Sequence, residues 1–305
     1  MERLVIGSRG SQLALTQSRT VAAMLEEAIP NLEVSIEVIQ TQGDIILDVP
    51  LSQIGSKGLF THELESALLE GTIDLAVHSL KDLPTDFPVG LTLGAVPPRE
   101  HPGDAFVSER FDSLDALPEG ATVGTSSLRR RAQLLAYRSD LCLVDLRGNV
   151  DTRLRKIADG EVDAAVLAYA GIVRIGRRDA IRSAIPETVM VPAPAQGALG
   201  IEVRDEDTRV LAYCSRIHND RASAEVTAER ACLSMLEGGC QVPIGALARV
   251  HQDELTLLAC VCSVDGKTVL RVEERGDARH AREIGNTAAA RLVTMGAASL
   301  IAATR

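Results

Sequence analysis

Two distant stretches of the chain carry one pattern. Glu70-Gly71-Thr72-Ile73-Asp74-Leu75-Ala76-Val77 is echoed by Asp159-Gly160-Glu161-Val162-Asp163-Ala164-Ala165-Val166. In each, a helix ends at glycine, two residues pass, and an aspartate opens a short apolar run that reads as a buried strand. An earlier pair of stretches echoes in the same order. Val5-Ile6-Gly7-Ser8 leads into a helix with Leu13, Gln17, Val21, Met24, Leu25 and Ala28 on one face. Thr122-Val123-Gly124-Thr125-Ser126-Ser127 leads into another, with Leu128, Ala132, Leu135 and Ala136. Two echoes in one order predict two α/β lobes of similar topology.

The rest of the chain fits around these lobes. Five prolines between Pro84 and Pro102, and later Pro186, Pro192 and Pro194, mark connections rather than helices. Two crossings are expected, making a hinge over a cleft. The first lobe is then discontinuous, 1–97 and 198–217, and the second is 98–197. Residues 218–305 read as a small α+β domain. It has a helix over 222–237, an antiparallel meander over 244–250, 255–262 and 268–273, and one last helix from about 278 to 303.

Composition narrows the function. Hydrophobic residues are 46% and charged residues 24%, as in an ordinary globular protein. Aromatics are 2% with no Trp, so base-stacking platforms are not expected. A net charge of -10 argues against bulk binding to nucleic acid or anionic membrane. No apolar run reaches membrane-spanning length, and the chain enters strand Leu4-Val5-Ile6 without a signal-like segment. The six cysteines form no C-x-x-C, so a reducing cytoplasm and no metal are expected.

Charge is nevertheless segregated. Residues 121–160 hold seven Arg and one Lys against four Asp. Arg129, Arg130 and Arg131 open the second lobe's helix, Arg147 follows a strand, and Arg153, Arg155 and Arg174 lie beyond. Guanidinium forks take carboxylates and phosphates in pairs, so a polyanionic ligand is expected; a solvated helical face is the plain alternative. In the first lobe Gly7-Ser8-Arg9-Gly10-Ser11 is a glycine turn at a helix start, a place that suits an anion or serves merely as a tight turn. The stretch His78-Ser79-Leu80-Lys81-Asp82-Leu83-Pro84-Thr85 puts a lysine and an aspartate at the carboxyl end of a strand, where open α/β sheets place their chemistry. Cys240 stands on a loop after a helix, reachable but with no feature that activates a thiol.

Seven segments together resemble one family. They are Gly7–Leu15, Gly55–Phe60, His78–Thr85, Gly124–Arg130, Arg147–Val150, Pro194–Gly197 and Gly239–Pro243. The chain thereby resembles the porphobilinogen deaminases, also called hydroxymethylbilane synthases. The resemblance implies two lobes like those of periplasmic binding proteins, a hinged cleft, and a third domain whose cysteine, here Cys240, holds a dipyrromethane cofactor through a thioether. It implies Asp82 as the central catalytic group, with Lys81, Arg9, Ser11, Arg147 and Arg174 around it. It implies Thr125, Ser127, Arg129, Arg130, Arg153 and Gln196 as cofactor-binding residues. Lys57 matches a mobile loop, here 44–58, and Phe60 the start of the helix after it; Gln53 stands near the place of a frequent second lysine in that loop. A cytoplasmic monomer acting on porphobilinogen, with product handed to the next enzyme of the pathway, is implied as well.

The implied chemistry suits these residue types. An aminomethyl group leaves as ammonia, and a carboxylate offsets the positive charge that develops on the pyrrole. Each added ring brings an acetate and a propionate, a load that arginines would hold. Two other classes compete. A cysteine hydrolase using Cys240 lacks a supporting base. A two-lobed receptor for small anions would use Arg9, Arg129 and Arg147 but leave Asp82 without purpose.

Overall fold

The structure is a computed structural model describing residues 2–45, 61–236 and 242–304. Lys57, Phe60 and Cys240, and most of the expected 44–58 loop, lie outside the described residues; that loop's beginning belongs to a helical turn, Gln42–Ile45. The chain forms two compact units, Met1–Glu100 with Ala198–Ser223, and His101–Gly197 with Ala224–Arg305.

Among the described residues the strands are, in chain order, β1 (Glu2–Ser8), β2 (Leu32–Val38), β3 (Leu75–Ser79), β4 (Leu91–Ala95), β5 (Asp104–Val107), β6 (Thr122–Gly124), β7 (Cys142–Val144), β8 (Ala164–Ala168), β9 (Ser183–Ala184), β10 (Leu199–Arg204), β11 (Ile244–His251), β12 (Glu254–Cys262) and β13 (Val269–Asp277). The first unit holds a sheet of order β2-β1-β3-β10-β4. There β1 runs parallel to β2 and β3, while β10 is antiparallel to β3 and β4. In the second unit the order is β7-β6-β8-β5-β9, with the same pattern of directions. The two lobes thus share one topology, each with a reversed strand fourth in its sheet.

The echoed aspartates show why the sequence repeats. Asp74 accepts a hydrogen bond from the Val5 N–H at 2.8 Å, and its own N–H donates to the Val5 carbonyl at 2.9 Å. Asp163 does the same with Thr122, at 2.7 and 3.0 Å. Each aspartate pins the start of a central strand to its parallel neighbour. The glycines before them, Gly71 and Gly160, have φ of 73° and 76°, the left-handed conformation that ends a helix without a steric penalty.

Each sheet has an apolar core. Leu4, Ile6, Val21, Leu25, Leu75 and Ile201 fill the first. Phe106, Val123, Leu134 and Val166 fill one side of the second. A three-stranded antiparallel sheet, β11-β12-β13, completes the second unit. Helices Asp220–Met235 and Ala281–Thr294 cover it through Ala228, Cys232, Ala288 and Leu292. The single last helix expected from sequence is two helices, Ala281–Thr294 and Ala297–Ala302. Gly296 separates them at φ 102°, a conformation that cannot continue a helix.

Within this unit the small sheet is fastened to the lobe. Glu229 is fully buried, and its two oxygens accept from Ala195 N–H at 2.6 Å and Ala248 N–H at 2.7 Å. Ala195 sits at φ 60°, strained for a residue with a side chain, so the glutamate holds a turn that would not hold itself. Gly266, in the β12–β13 turn at φ 72°, lies against helix Leu128–Tyr137; a Cβ there would meet the Ala132 carbonyl at 2.6 Å.

Candidate functional site

In the first lobe β3 ends in a 3-10 turn, Leu80–Asp82. Leu80 is fully buried and its N–H donates to the Ala198 carbonyl at 3.0 Å; Leu83 is 5% exposed. With both leucines inward, Lys81 is left half-buried and Asp82 exposed. Arg9 and Ser11 follow β1 on the glycine turn. The Ser11 hydroxyl oxygen accepts from Ala14 N–H at 3.3 Å and caps helix Gln12–Ala28. An open pocket of about 80 Å³ gathers Arg9, Ser11, Gln17, His78, Ser79 and Asp82. The structure therefore brings Arg9, Ser11 and Asp82 together, whereas Lys81 shares the turn but does not line the pocket.

The second lobe presents a buried cluster. Arg129 and Arg130 are 5% and 6% exposed. Arg129 donates to Asp104 at 2.8 and 3.2 Å and to the Val191 carbonyl at 2.8 Å. Arg130 donates to Asp104 through Nε at 2.9 Å and to the Gln196 side chain at 3.4 Å. Gln196 donates in turn to Asp104 at 3.0 Å. Burial by itself would push the Asp104 carboxyl up, but the Arg129 and Arg130 guanidiniums, with hydrogen bonds from Arg129 and Gln196, hold it well below the carboxylate range. Much of the donor capacity of Arg129 is thus turned inward. Asp104 escaped the sequence reading because an aspartate opening a short strand advertises no partner. Its one local signal is a charged residue at the head of an apolar run; the two arginines it meets are 25 and 26 positions away in sequence.

The remaining residues surround the same lobe's helix starts. Thr125 is buried and its hydroxyl accepts from Ser127 N–H at 3.3 Å. Arg153 donates to the Gly148 carbonyl at 2.8 Å and Arg174 to the Gly197 carbonyl at 2.7 Å. Arg147 is exposed on the turn after β7. The cysteines divide sharply. Cys214, Cys232, Cys260 and Cys262 are all 0% exposed, and Cys142 alone among the described five is exposed. Burial pushes the Cys214 and Cys232 thiols up to about 12. Among the described residues no His, Cys, Asp and Glu cluster could hold a metal, and no helix is long and apolar enough to cross a membrane.

Fold and site define a class: a two-lobed α/β protein with guanidinium and hydroxyl donors in both lobes and a carboxylate at a strand end, equipped to handle small anions. Comparison with known proteins makes that specific. Residues 4–212 match the family described as "Porphobilinogen deaminase, dipyromethane cofactor binding domain", and residues 223–294 match "Porphobilinogen deaminase, C-terminal domain". The chain is 51% identical to a porphobilinogen deaminase of Pelotomaculum thermopropionicum over 98% of its length and 96% of the relative's. It is also 51% identical to one of Desulforudis audaxviator, over 99% and 98%. A periplasmic substrate-binding protein of a Coxiella burnetii ABC transporter is similar at TM-score 0.45 and 15% identity, covering 75% of this chain and 97% of that one. The chain belongs to the porphobilinogen deaminase family. The hydrolase and receptor alternatives fall with that assignment.

Proposed function

We propose that Asp82 is the catalytic carboxylate of this chain and that Arg9 and Ser11 bind the substrate ring beside it. The observation that carries this reading is their shared pocket at the carboxyl end of β3. The enzyme is a transferase that deaminates porphobilinogen and joins four molecules head to tail into linear hydroxymethylbilane, in tetrapyrrole and haem biosynthesis. Asp82, exposed toward the pocket, offsets the positive charge that grows on the substrate pyrrole as ammonia leaves. Arg9 supplies a fork for a ring carboxylate, and the Ser11 hydroxyl keeps a proton to donate while its oxygen caps the helix. Lys81 shares the turn of Asp82 and assists there; in the second unit Arg147, exposed, and Arg174 are the further guanidiniums of the reaction in this reading.

The match to a dipyromethane cofactor binding domain supports a dipyrromethane cofactor, and in this reading Cys240, within the stretch matching the C-terminal domain, would hold it through a thioether. Its carboxylates need N–H and O–H donors, and Thr125, Ser127, Arg130 and Arg153 are such donors gathered in one unit, so the residues present fit the group. When bound, it supplies the primer on which the product is built. Arg130 and Arg153 would bind its carboxylates, while Arg129 and Gln196 act through Asp104, orienting Arg130 from within.

We place the domain boundaries at 1–97 with 198–217, 98–197, and 218–305; the separate aliphatic core around β11–β13 supports the last of these. A cytoplasmic monomer that hands its product onward completes the reading. Free thiols at Cys214, Cys232, Cys260 and Cys262 support a reducing compartment.

Turnover of porphobilinogen with release of ammonia tests the activity, and intact mass spectrometry tests the attachment. The wild type should carry an adduct of about two pyrrole units that Cys240→Ser lacks. Cys142→Ser, removing the exposed alternative, should keep it. An adduct surviving in Cys240→Ser would move the anchor elsewhere. Arg130→Lys should impair loading and turnover together, because a point charge does not reproduce a fork. Unchanged loading would remove Arg130 from the cofactor's grip.

A further inference from the structure

Two buried glutamates of this protein are treated very differently by the fold. Glu229 has both oxygens on backbone N–H groups, an arrangement that holds structure. Glu202, on β10, is equally buried at 0%. One of its oxygens, Oε2, lies 3.0 Å from Nε2 of His78; the other, Oε1, has no hydrogen-bond partner among the described residues. Glu202 pairs with Ala76, which belongs to the apolar cluster of Leu64, Leu68 and Ile73 on that face of the sheet. A buried carboxylate with a single hydrogen bond leans heavily on that one donor. His78 is the neighbour that supplies it.

His78 also lines the Asp82 pocket. It pairs with Gly200 across the antiparallel β3–β10 ladder, which sets Glu202 two residues along on the same face. With Glu202 as the acceptor, Nε2 carries the proton and Nδ1 keeps its lone pair. Nδ1 makes no hydrogen bond among the described residues. The charged groups sharing the pocket's walls are Arg9 from the β1 turn and Asp82 from the 3-10 turn; Ser11 and Gln17 from the first helix, Ser79 and Thr61 do not titrate.

We propose that His78 is the proton acceptor of the condensation and that Glu202 is its positioning residue. The inference rests on the reading of this pocket as the condensation site. In each condensation the substrate ammonium and a pyrrole C–H become a C–C bond and free ammonium. The C–N electron pair departs with nitrogen as ammonia, and the C–H electron pair returns to the ring. One proton must therefore travel from carbon to the departing ammonia. Nδ1 of His78 takes that proton, Glu202 offsets the imidazolium charge, and the proton passes on to ammonia. Asp82 remains ionised throughout and stabilises the charge on the pyrrole. A carboxylate behind an imidazole that faces a reacting group is the base-and-orienter arrangement of nucleophilic and proton-transfer sites.

The test uses enzyme shown by mass to carry its cofactor. His78→Gln keeps an N–H for Glu202 but removes the base, and Glu202→Gln keeps the shape but removes the charge. His78→Gln should lose about 10²-fold or more in kcat, the scale of general-base catalysis, with KM little changed. Glu202→Gln should lose less, again in kcat. Independently of turnover, ¹⁵N NMR of the wild-type imidazole should show Nε2 protonated and Nδ1 bare at neutral pH. Wild-type kcat in folded His78→Gln, or a resting imidazole protonated on Nδ1 alone, overturns the proposal. If His78→Gln does not fold, the ¹⁵N spectrum decides. A loaded wild type that releases no ammonia from porphobilinogen would sink the reading of the pocket itself. An active His78→Gln beside an inactive Asp82→Asn would sink only this inference.

Discussion

Replacing Asp104 by asparagine is expected to destabilise the protein by about 3–5 kcal/mol, the usual cost of leaving a buried ion pair without one partner. Asparagine keeps the size and can accept one hydrogen bond. It leaves Arg129 and Arg130, 5% and 6% exposed, beside a neutral group. Denaturant titration measures the change. As a control, Glu33→Gln breaks the exposed pair with Arg3, 80% and 54% accessible, and should change stability by about 0–1 kcal/mol. A loss below about 1 kcal/mol in Asp104→Asn would mean that the cluster is not held by charge. The same carboxylate sets an acid limit. Its folded-state pKa is depressed by the two guanidiniums. Its stabilisation is therefore complete above the unfolded value of about 3.9 and is lost as pH falls through the lower folded value. Asp104→Asn should flatten that part of the acid-denaturation curve.

Asp82 should give the largest kinetic effect with the smallest structural one. It is exposed, so neither Asp82→Glu nor Asp82→Asn should move the melting temperature much. Asp82→Glu keeps the charge but displaces it by about 1 Å, a misplacement that can cost about 10²-fold. Asp82→Asn keeps the place but cannot offset the growing positive charge, and should be slower still. Turnover on cofactor-loaded protein decides. Asparagine activity equal to that of glutamate would defeat the electrostatic role, and normal activity in both would return the turn to a plain strand exit.

The elements that sequence exposed are those whose signals are local. The Gly-x-x-Asp echo was readable because a helix end and a strand start are set by neighbouring residues, and Asp74 and Asp163 repeat one hydrogen-bond pattern. The place of Asp82 at a strand end was readable because Pro84 closes the apolar run that precedes it. What sequence hid are pairings between residues far apart in the chain. Asp104 meets Arg129 across 25 positions, and His78 meets Glu202 across 124. No periodicity links such partners; only the strand order does. The break at Gly296 was hidden for another reason, since helical composition continues on both sides of it.

The twin hydrogen bonds of Glu229 bear on how a growing product is handled. Its helix, Asp220–Met235, leads in sequence toward Cys240, while the turn it grips, at Ala195, adjoins Gln196 and through it the arginines. Helix and arginine cluster are thus bolted to one chassis. Their spacing is set by Glu229 and not by the length of chain between them, so it does not stretch like a telescope under a ligand held on the arginines.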